Sequence, residues 1–255
     1  FTMPTLKYLL LGMNNPDIVV LSQVMEKIKL HFATEAEQLW LSLHEQNSLD
    51  EPYDFSPDQV AARSVKNLAL FFLSRLGDKY IDLIKSDYDN ADNMTDKIAA
   101  LSAISNTSSG TKEQLFAGFY NDYKDHPLVI DKWFRLQAAD KSDGALARVK
   151  SLTMHPAYDD GNPNRVRAVI GSFLGGNVEH FHADDGAGYD YVISEIMRID
   201  KFNPQLAARL CEPFISWRLL DKKRQSKIKL HLNLLLATEG LSNDVFEVLS
   251  RSLQD

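Results

Sequence analysis

The chain holds a single cysteine, Cys211, in 255 residues, which excludes an intrachain disulfide and any zinc site built from paired cysteines. That usage suits a reducing compartment. Flanked by Leu210 and Glu212 on a predicted helix, Cys211 is expected to be a buried, inert thiol rather than a nucleophile. Long hydrophobic runs are also missing. The longest, Leu68–Leu73, falls far short of the roughly 20 residues that cross a bilayer, so no membrane span is expected. Positive charge is scarce as well. A formal net charge of -7 opposes the clustered cations that nucleic-acid binding requires, so no DNA or RNA partner is expected. The local run Lys222, Lys223, Arg224, Lys227 and Lys229 is scattered around a helix axis by its spacing and reads as a solvated face. Strict apolar alternation is absent, which leaves no case for a sheet. No serine sits in a Gly-Xaa-Ser-Xaa-Gly elbow, and Gly171, Gly175 and Gly176 lack the lysine and preceding strand of a phosphate loop.

Helical periodicity is what the chain does have. Ile18, Leu21, Met25 and Ile28 recur at spacings of three and four. Val60, Val65, Leu68 and Phe72 follow with one slip, and Ile98, Leu101, Ile104 and Val192, Ile196 continue the pattern. Asn15-Pro16, Ser56-Pro57, Asn162-Pro163 and Asn203-Pro204 each set a capping side chain before a proline suited to the first helical turn. Thr111 with Gln114 reads as a capping box. Gly77-Asp78, Ser108-Ser109-Gly110, Asp143-Gly144 and Asp159-Asp160-Gly161 break the helices every few tens of residues. Pro213 is expected to kink the stretch from Pro204 to Leu220 or to split it after Leu210. The fold class is therefore all-α, a superhelical array of HEAT- or armadillo-like helical hairpins, inferred from element size because no clean sequence repeat survives.

The residues that could carry chemistry are few. A zinc peptidase needs His-Glu-Xaa-Xaa-His on one helical face, and the only His-Glu pair, His44-Glu45, continues as Gln46-Asn47-Ser48. His180 and His182 with Asp184 or Asp185 look superficially like a metal cluster but lack a third correctly spaced ligand, and an EF-hand reading fails at Phe181 and Ala183. They read as structural histidines, and no metal site or cofactor is expected on this chain. Arg165 and Arg167 differ by about 200° around a helix, so at most one faces a given side. Arg209 follows Gln205 by one turn and shares its face. A guanidinium fork suits a peptide carboxylate or backbone oxygen, although spacing alone favours an ion pair between helices.

At this point the strings become specific. Asn93-Met94-Thr95-Asp96 before Ala99-Ala100-Leu101-Ser102, then Asp131-Lys132-Trp133-Phe134, then Asn162-Pro163-Asn164-Arg165-Val166-Arg167 occur in that order. The stretch from His182 to Tyr189 and the stretch from Asn203 to Pro213 complete the series. Together they resemble the C-terminal domain of the bacterial-type M1 aminopeptidase N family. The likeness runs from about residue 57 to 243 and is weak over the first fifty or so.

The resemblance implies a cytoplasmic zinc enzyme that removes N-terminal amino acids from peptides, with a thermolysin-like catalytic domain upstream. This chain, 1–255, would be a single α-helical C-terminal domain, incomplete at its N-terminal end and lacking the catalytic domain. It would enclose the active-site cavity, gate peptide access and contribute substrate contacts, with zinc held in the parent enzyme. Gln205 would help close the pocket for the first side chain, and Arg167 and Arg209 would face the cavity. The family's Gly-Ala-Met-Glu-Asn motif and zinc helix have no counterpart, so the isolated chain is expected not to be an enzyme. The alternative is a freestanding α-solenoid that binds a protein partner. Leu6, Tyr8, Leu9, Leu10 and Leu11 offer no polar cap, so self-association of the isolated chain is also expected.

Overall fold

A computed structural model describes residues 3–107 and 109–254. Among them there are helices and no strand. In chain order the helices are α1 (Leu6–Leu11), α2 (Ile18–Glu35), α3 (Glu37–Gln46), α4 (Pro57–Leu73), α5 (Ile81–Asn90) and α6 (Met94–Ile104). Then follow α7 (Thr111–Tyr123), α8 (Pro127–Ala139), α9 (Ala145–Thr153), α10 (Pro163–Val166), α11 (Ser172–Gly176) and α12 (Val178–Phe181). The last are α13 (Ala187–Asp200), α14 (Pro204–Leu210), α15 (Glu212–Ile215), α16 (Lys222–Leu236) and α17 (Asn243–Leu253). The chain forms two compact units, one of Val24–Asp140 and one of Phe1–Gln23 with Lys141–Asp255.

Within Val24–Asp140, consecutive helices are spatial neighbours: α3 packs on α4, α5 on α6 and α7 on α8, while α6 also touches α4 and α8. That stacking is the signature of a helical-repeat array. The fully buried side chains Phe72, Leu73, Ile84, Leu101, Ile104, Phe119 and Phe134 fill its core, and Trp40 stacks on Phe72 at 4.3 Å. Gly77, at φ 71°, makes the break between α4 and α5 in a backbone region that a side chain disfavours.

The other unit is centred on α13, α14, α16 and α17, which pack on one another. Phe181, Tyr189 and Phe214 meet edge-on in its core, with ring centroids 5.2–6.2 Å apart. On α1 the chain buries only Leu10 and leaves Tyr8 and Leu11 70% and 65% exposed.

Three of the four Xaa-Pro starts form as the sequence predicts. Ser56, Asn162 and Asn203 accept from the backbone N–H groups of Gln59, Asn164 and Leu206, each with proline in the first turn. The fourth differs. Asn15 adopts a left-handed φ of 55° and its Oδ1 accepts from the Lys222 N–H, while Asp17 caps α2 through Val19 and Val20. Thr111 does not form the expected box: the Ser109 hydroxyl takes the Thr111 N–H instead. Ser108, part of the expected break, lies outside the described residues, as do Phe1 and Thr2.

Candidate functional site

The Asn162-Pro163-Asn164-Arg165-Val166-Arg167 segment folds into α10 and then loosens. Asn162 Oδ1 accepts from the Asn164 N–H at 2.9 Å, and Pro163 fixes the first turn. From Arg167 to Gly171 the backbone takes a π turn, in which the Ser172 N–H reaches back to the Arg167 carbonyl. Such turns insert one extra residue and recur at functional sites. The two arginines part company as their spacing requires. Arg165 is buried and donates to the Ala157 carbonyl, whereas Arg167 is exposed and donates from Nη2 to Asn164 Oδ1 at 2.5 Å.

Gln205 and Arg209 lie together on α14. Leu206, Ala207 and Leu210 turn inward there, and Gln205 and Arg209 occupy the exposed face. Neither side chain makes a hydrogen bond or ion pair among the described residues, and α14 packs chiefly on α13 and α17. Arg167 sits on a different segment, packed against α9, α10 and α11. The ion pair that spacing favours for Arg167 and Arg209 is therefore not formed, in contrast to Arg198, which holds the carboxylates of Glu195 and Asp160. The helix ends at Leu210, and Pro213 enters the first turn of α15, so the stretch splits rather than bends. Cys211 between them is fully buried, and burial followed by the nearby Asp200 pushes its thiol up to about 12. It is inert at neutral pH.

The stretch from His182 to Tyr189 builds scaffold. His182 Nδ1 meets the Tyr189 hydroxyl at 2.7 Å, and burial, aided by Arg224, lowers its pKa to about 3, which keeps the ring neutral. Arg224 is itself buried, correcting the reading of its basic run as wholly solvated. Its Nε donates to the His182 carbonyl at 3.0 Å, and its Nη1 reaches Asp221 at 2.6 Å and Asp17 at 2.9 Å. Around it Lys223 pairs with Asp184 at 2.7 Å, and that hydrogen bond holds the Asp184 carboxyl below its ordinary range. His180 meets the Lys141 carbonyl at 3.1 Å.

Gly188 closes the same stretch. A Cβ there would lie 2.5 Å from the Phe181 carbonyl oxygen and 2.7 Å from that of His180, so α13 starts where only glycine fits against α12.

The donor set does not fit a zinc ion. Among the described residues no group of three or more His, Cys, Asp or Glu side chains is placed to hold a metal. The His of the lone His-Glu pair, His44, is buried against Asp87 at 2.7 Å, beside a cleft of about 640 Å³ that also takes in Lys66 and Asp96.

These features define an α-helical repeat domain with a few exposed, unpaired polar side chains. A family model described as a domain of unknown function, DUF3458_C ARM repeats, matches residues 1–254, and the chain belongs to that family. Aminopeptidase N of Haemophilus influenzae is 38% identical over 204 residues, covering 79% of this chain and 23% of its own length. Aminopeptidase N of Escherichia coli K12 is 34% identical over 239 residues, covering 93% of this chain and 27% of its own. The crystal structure of Legionella pneumophila aminopeptidase A, in complex with aspartic acid, superposes with a TM-score of 0.87 at 28% identity, covering 99% of this chain and 31% of that one. The chain thus spans about a quarter to a third of the length of these relatives. Among the described residues no helix is long and apolar enough to cross a membrane.

Proposed function

We propose that this chain is the C-terminal helical domain of a cytoplasmic, zinc-dependent aminopeptidase, in which it encloses the active-site cavity and gates peptide access without performing the chemistry. Both compact units belong to that one domain. The zinc and its ligands lie in an upstream catalytic domain of the same polypeptide, and peptides are the substrates. The observation that carries this reading is the extent of the likeness: aminopeptidases match nearly the whole chain, yet the match accounts for less than a third of theirs.

Gln205, Arg209 and Arg167 are the substrate contacts. All three are exposed and free of ion pairs, so their donors are available to a peptide. Gln205 and Arg209, one turn apart on α14, offer a carbonyl, an amide and a guanidinium to a substrate's first residues. The apolar surface of Tyr8, Leu11 and Met13 supports self-association of the isolated chain, which light scattering detects.

The test uses the full-length polypeptide. Arg209→Gln and Gln205→Ala are expected to raise KM for alanyl peptides by up to about tenfold, the weight of one charged hydrogen bond. Unchanged kinetics in both variants would refute their role as contacts. A gene whose upstream region encodes no His-Glu-Xaa-Xaa-His would instead favour a freestanding scaffold.

A further inference from the structure

The cleft of about 640 Å³ beside His44 lies within the Val24–Asp140 unit and has no part in the peptide contacts proposed above. Its size is that of a small-molecule site. The walls come from the end of α3 and the segment after it, from α4 and α5, and from the start of α6. The Asn93-Met94-Thr95-Asp96 string builds one of them. Asn93 caps α6 through the Asp96 N–H at 3.0 Å, and the buried Asp96 carboxylate takes Lys66 Nζ at 2.7 Å and Asn67 Nδ2 at 2.8 Å. His44 Nε2 meets Asp87 Oδ2 at 2.7 Å. Both basic groups of the lining, Lys66 and His44, are therefore committed to carboxylates of their own.

What remains in the lining is negative. Asp50 and Glu51 are exposed, and neither side chain makes a hydrogen bond or ion pair among the described residues. Asp92 takes neutral donors, the Tyr53 N–H at 2.8 Å and an Asn93 amide N–H at 3.0 Å. Three of the five carboxylates lining the cleft thus hold no ion pair among the described residues. The His44 ring adds a second request for a donor. Its side chain is only 5% exposed, yet Nδ1 has no hydrogen-bond partner among the described residues. With Nε2–H donating to Asp87, Nδ1 of the neutral ring is a lone pair that an N–H in the cleft would satisfy.

The shape of the cation follows from the spread of these groups. Among the described residues no three His, Cys, Asp or Glu side chains converge on one point as metal ligands, so a compact metal ion does not match the cleft. Leu49, Leu83 and Ala91 line it as well and offer apolar surface to a hydrocarbon stem. An elongated cation with several N–H donors and methylenes between them matches both features.

We propose that this cleft binds an aliphatic oligoamine, with its ammonium groups on Asp50, Glu51, Asp92 and His44 Nδ1 and its methylenes on Leu49 and Leu83. The site is independent of the peptidase reading, since none of these residues lies on α10 or α14.

The experiment is calorimetric titration of the full-length polypeptide with spermidine, expected to show saturable binding at one site. Magnesium chloride at equal ionic strength is expected to show none. Asp50→Asn combined with Glu51→Gln is expected to raise Kd about tenfold, roughly threefold for each exposed ion pair lost. Ser86→Lys, at an exposed position of the lining, tethers an ammonium in the cleft and is expected to abolish saturable binding. Asp82→Asn removes an exposed carboxylate of α5 outside the lining and is expected to leave Kd within about twofold. Absence of saturable spermidine binding overturns the proposal, as do equal effects of the Asp82 and Asp50/Glu51 variants, which would mean general attraction to an acidic protein. Tighter binding of a trilysine peptide than of spermidine also overturns it, in favour of a basic protein segment. Should Ser86→Lys fail to fold, the double variant decides, because its two side chains touch no polar partner among the described residues.

Discussion

Replacing Gly188 with alanine pits helix propensity against packing. In an open helical position Gly→Ala stabilises by about 1 kcal/mol, and Gly118 on α7, with nothing within 4 Å of its ideal Cβ, is such a position. At Gly188 the added Cβ would fall 2.5 Å from Phe181 O, 2.7 Å from His180 O and 2.8 Å from Phe181 Cα. All three are backbone atoms, so no side chain can swing aside, and α12 and α13 must separate. Overpacking of this kind costs about 3 kcal/mol, which leaves roughly 2 kcal/mol of net destabilisation after the gain in propensity. In urea denaturation, with a slope of about 2 kcal/mol/M, Gly188→Ala should lower the midpoint by about 1 M and Gly118→Ala should raise it by about 0.5 M. A Gly188→Ala chain as stable as the parent would show that α12 and α13 leave room for a Cβ at 188. Because α13 packs on α14, the same variant should also disturb the face carrying Gln205 and Arg209.

His182 gives a pH dependence with a definite sign. Its folded pKa of about 3 lies below the ordinary 6.5, so below pH 6.5 the unfolded chain binds the extra proton and stability falls as pH drops toward 3. The loss is about 1.4 kcal/mol per pH unit, or roughly 2 kcal/mol between pH 6.5 and 5. His182→Gln should remove that much of the slope when urea midpoints are compared at the two pH values, and an identical slope in both proteins would contradict the account. Arg224→Met should cost about 3 kcal/mol, because Asp221 and the His182 carbonyl lose a buried partner. A loss below about 1 kcal/mol in thermal or urea unfolding would show that the network is dispensable.

Local signals were legible because their partners are close in sequence. Ser56, Asn162 and Asn203 cap as read, since a side chain reaching an N–H two or three residues on needs nothing else. Asn15 misled for the converse reason: its oxygen serves Lys222, at the far end of the chain. Arg224 looked solvated within its basic run because one of its partners, Asp17, also lies far away in sequence.

The all-α class could be read from periodicity, yet Val60 and Ile28, which fit the apolar spacing, remain partly exposed. In the candidate site, spacing showed that Arg165 and Arg167 diverge but not which one is buried. That is decided by the Ala157 carbonyl, which captures Arg165. The π turn at Arg167 has no composition signature, whereas the Asn164–Arg167 bond could have been suspected from its i, i+3 spacing. The need for glycine at 188 arises from a contact between two helices and is invisible in either alone.

We propose, on the likeness to aminopeptidases, that this domain shapes access to a catalyst encoded upstream. Its most direct test is release of chromophore from an alanyl substrate, with zinc added, by the isolated chain and by the full-length polypeptide side by side. Turnover is expected from the full-length polypeptide alone, abolished by a chelator. Chelator-sensitive turnover by the isolated chain would contradict it.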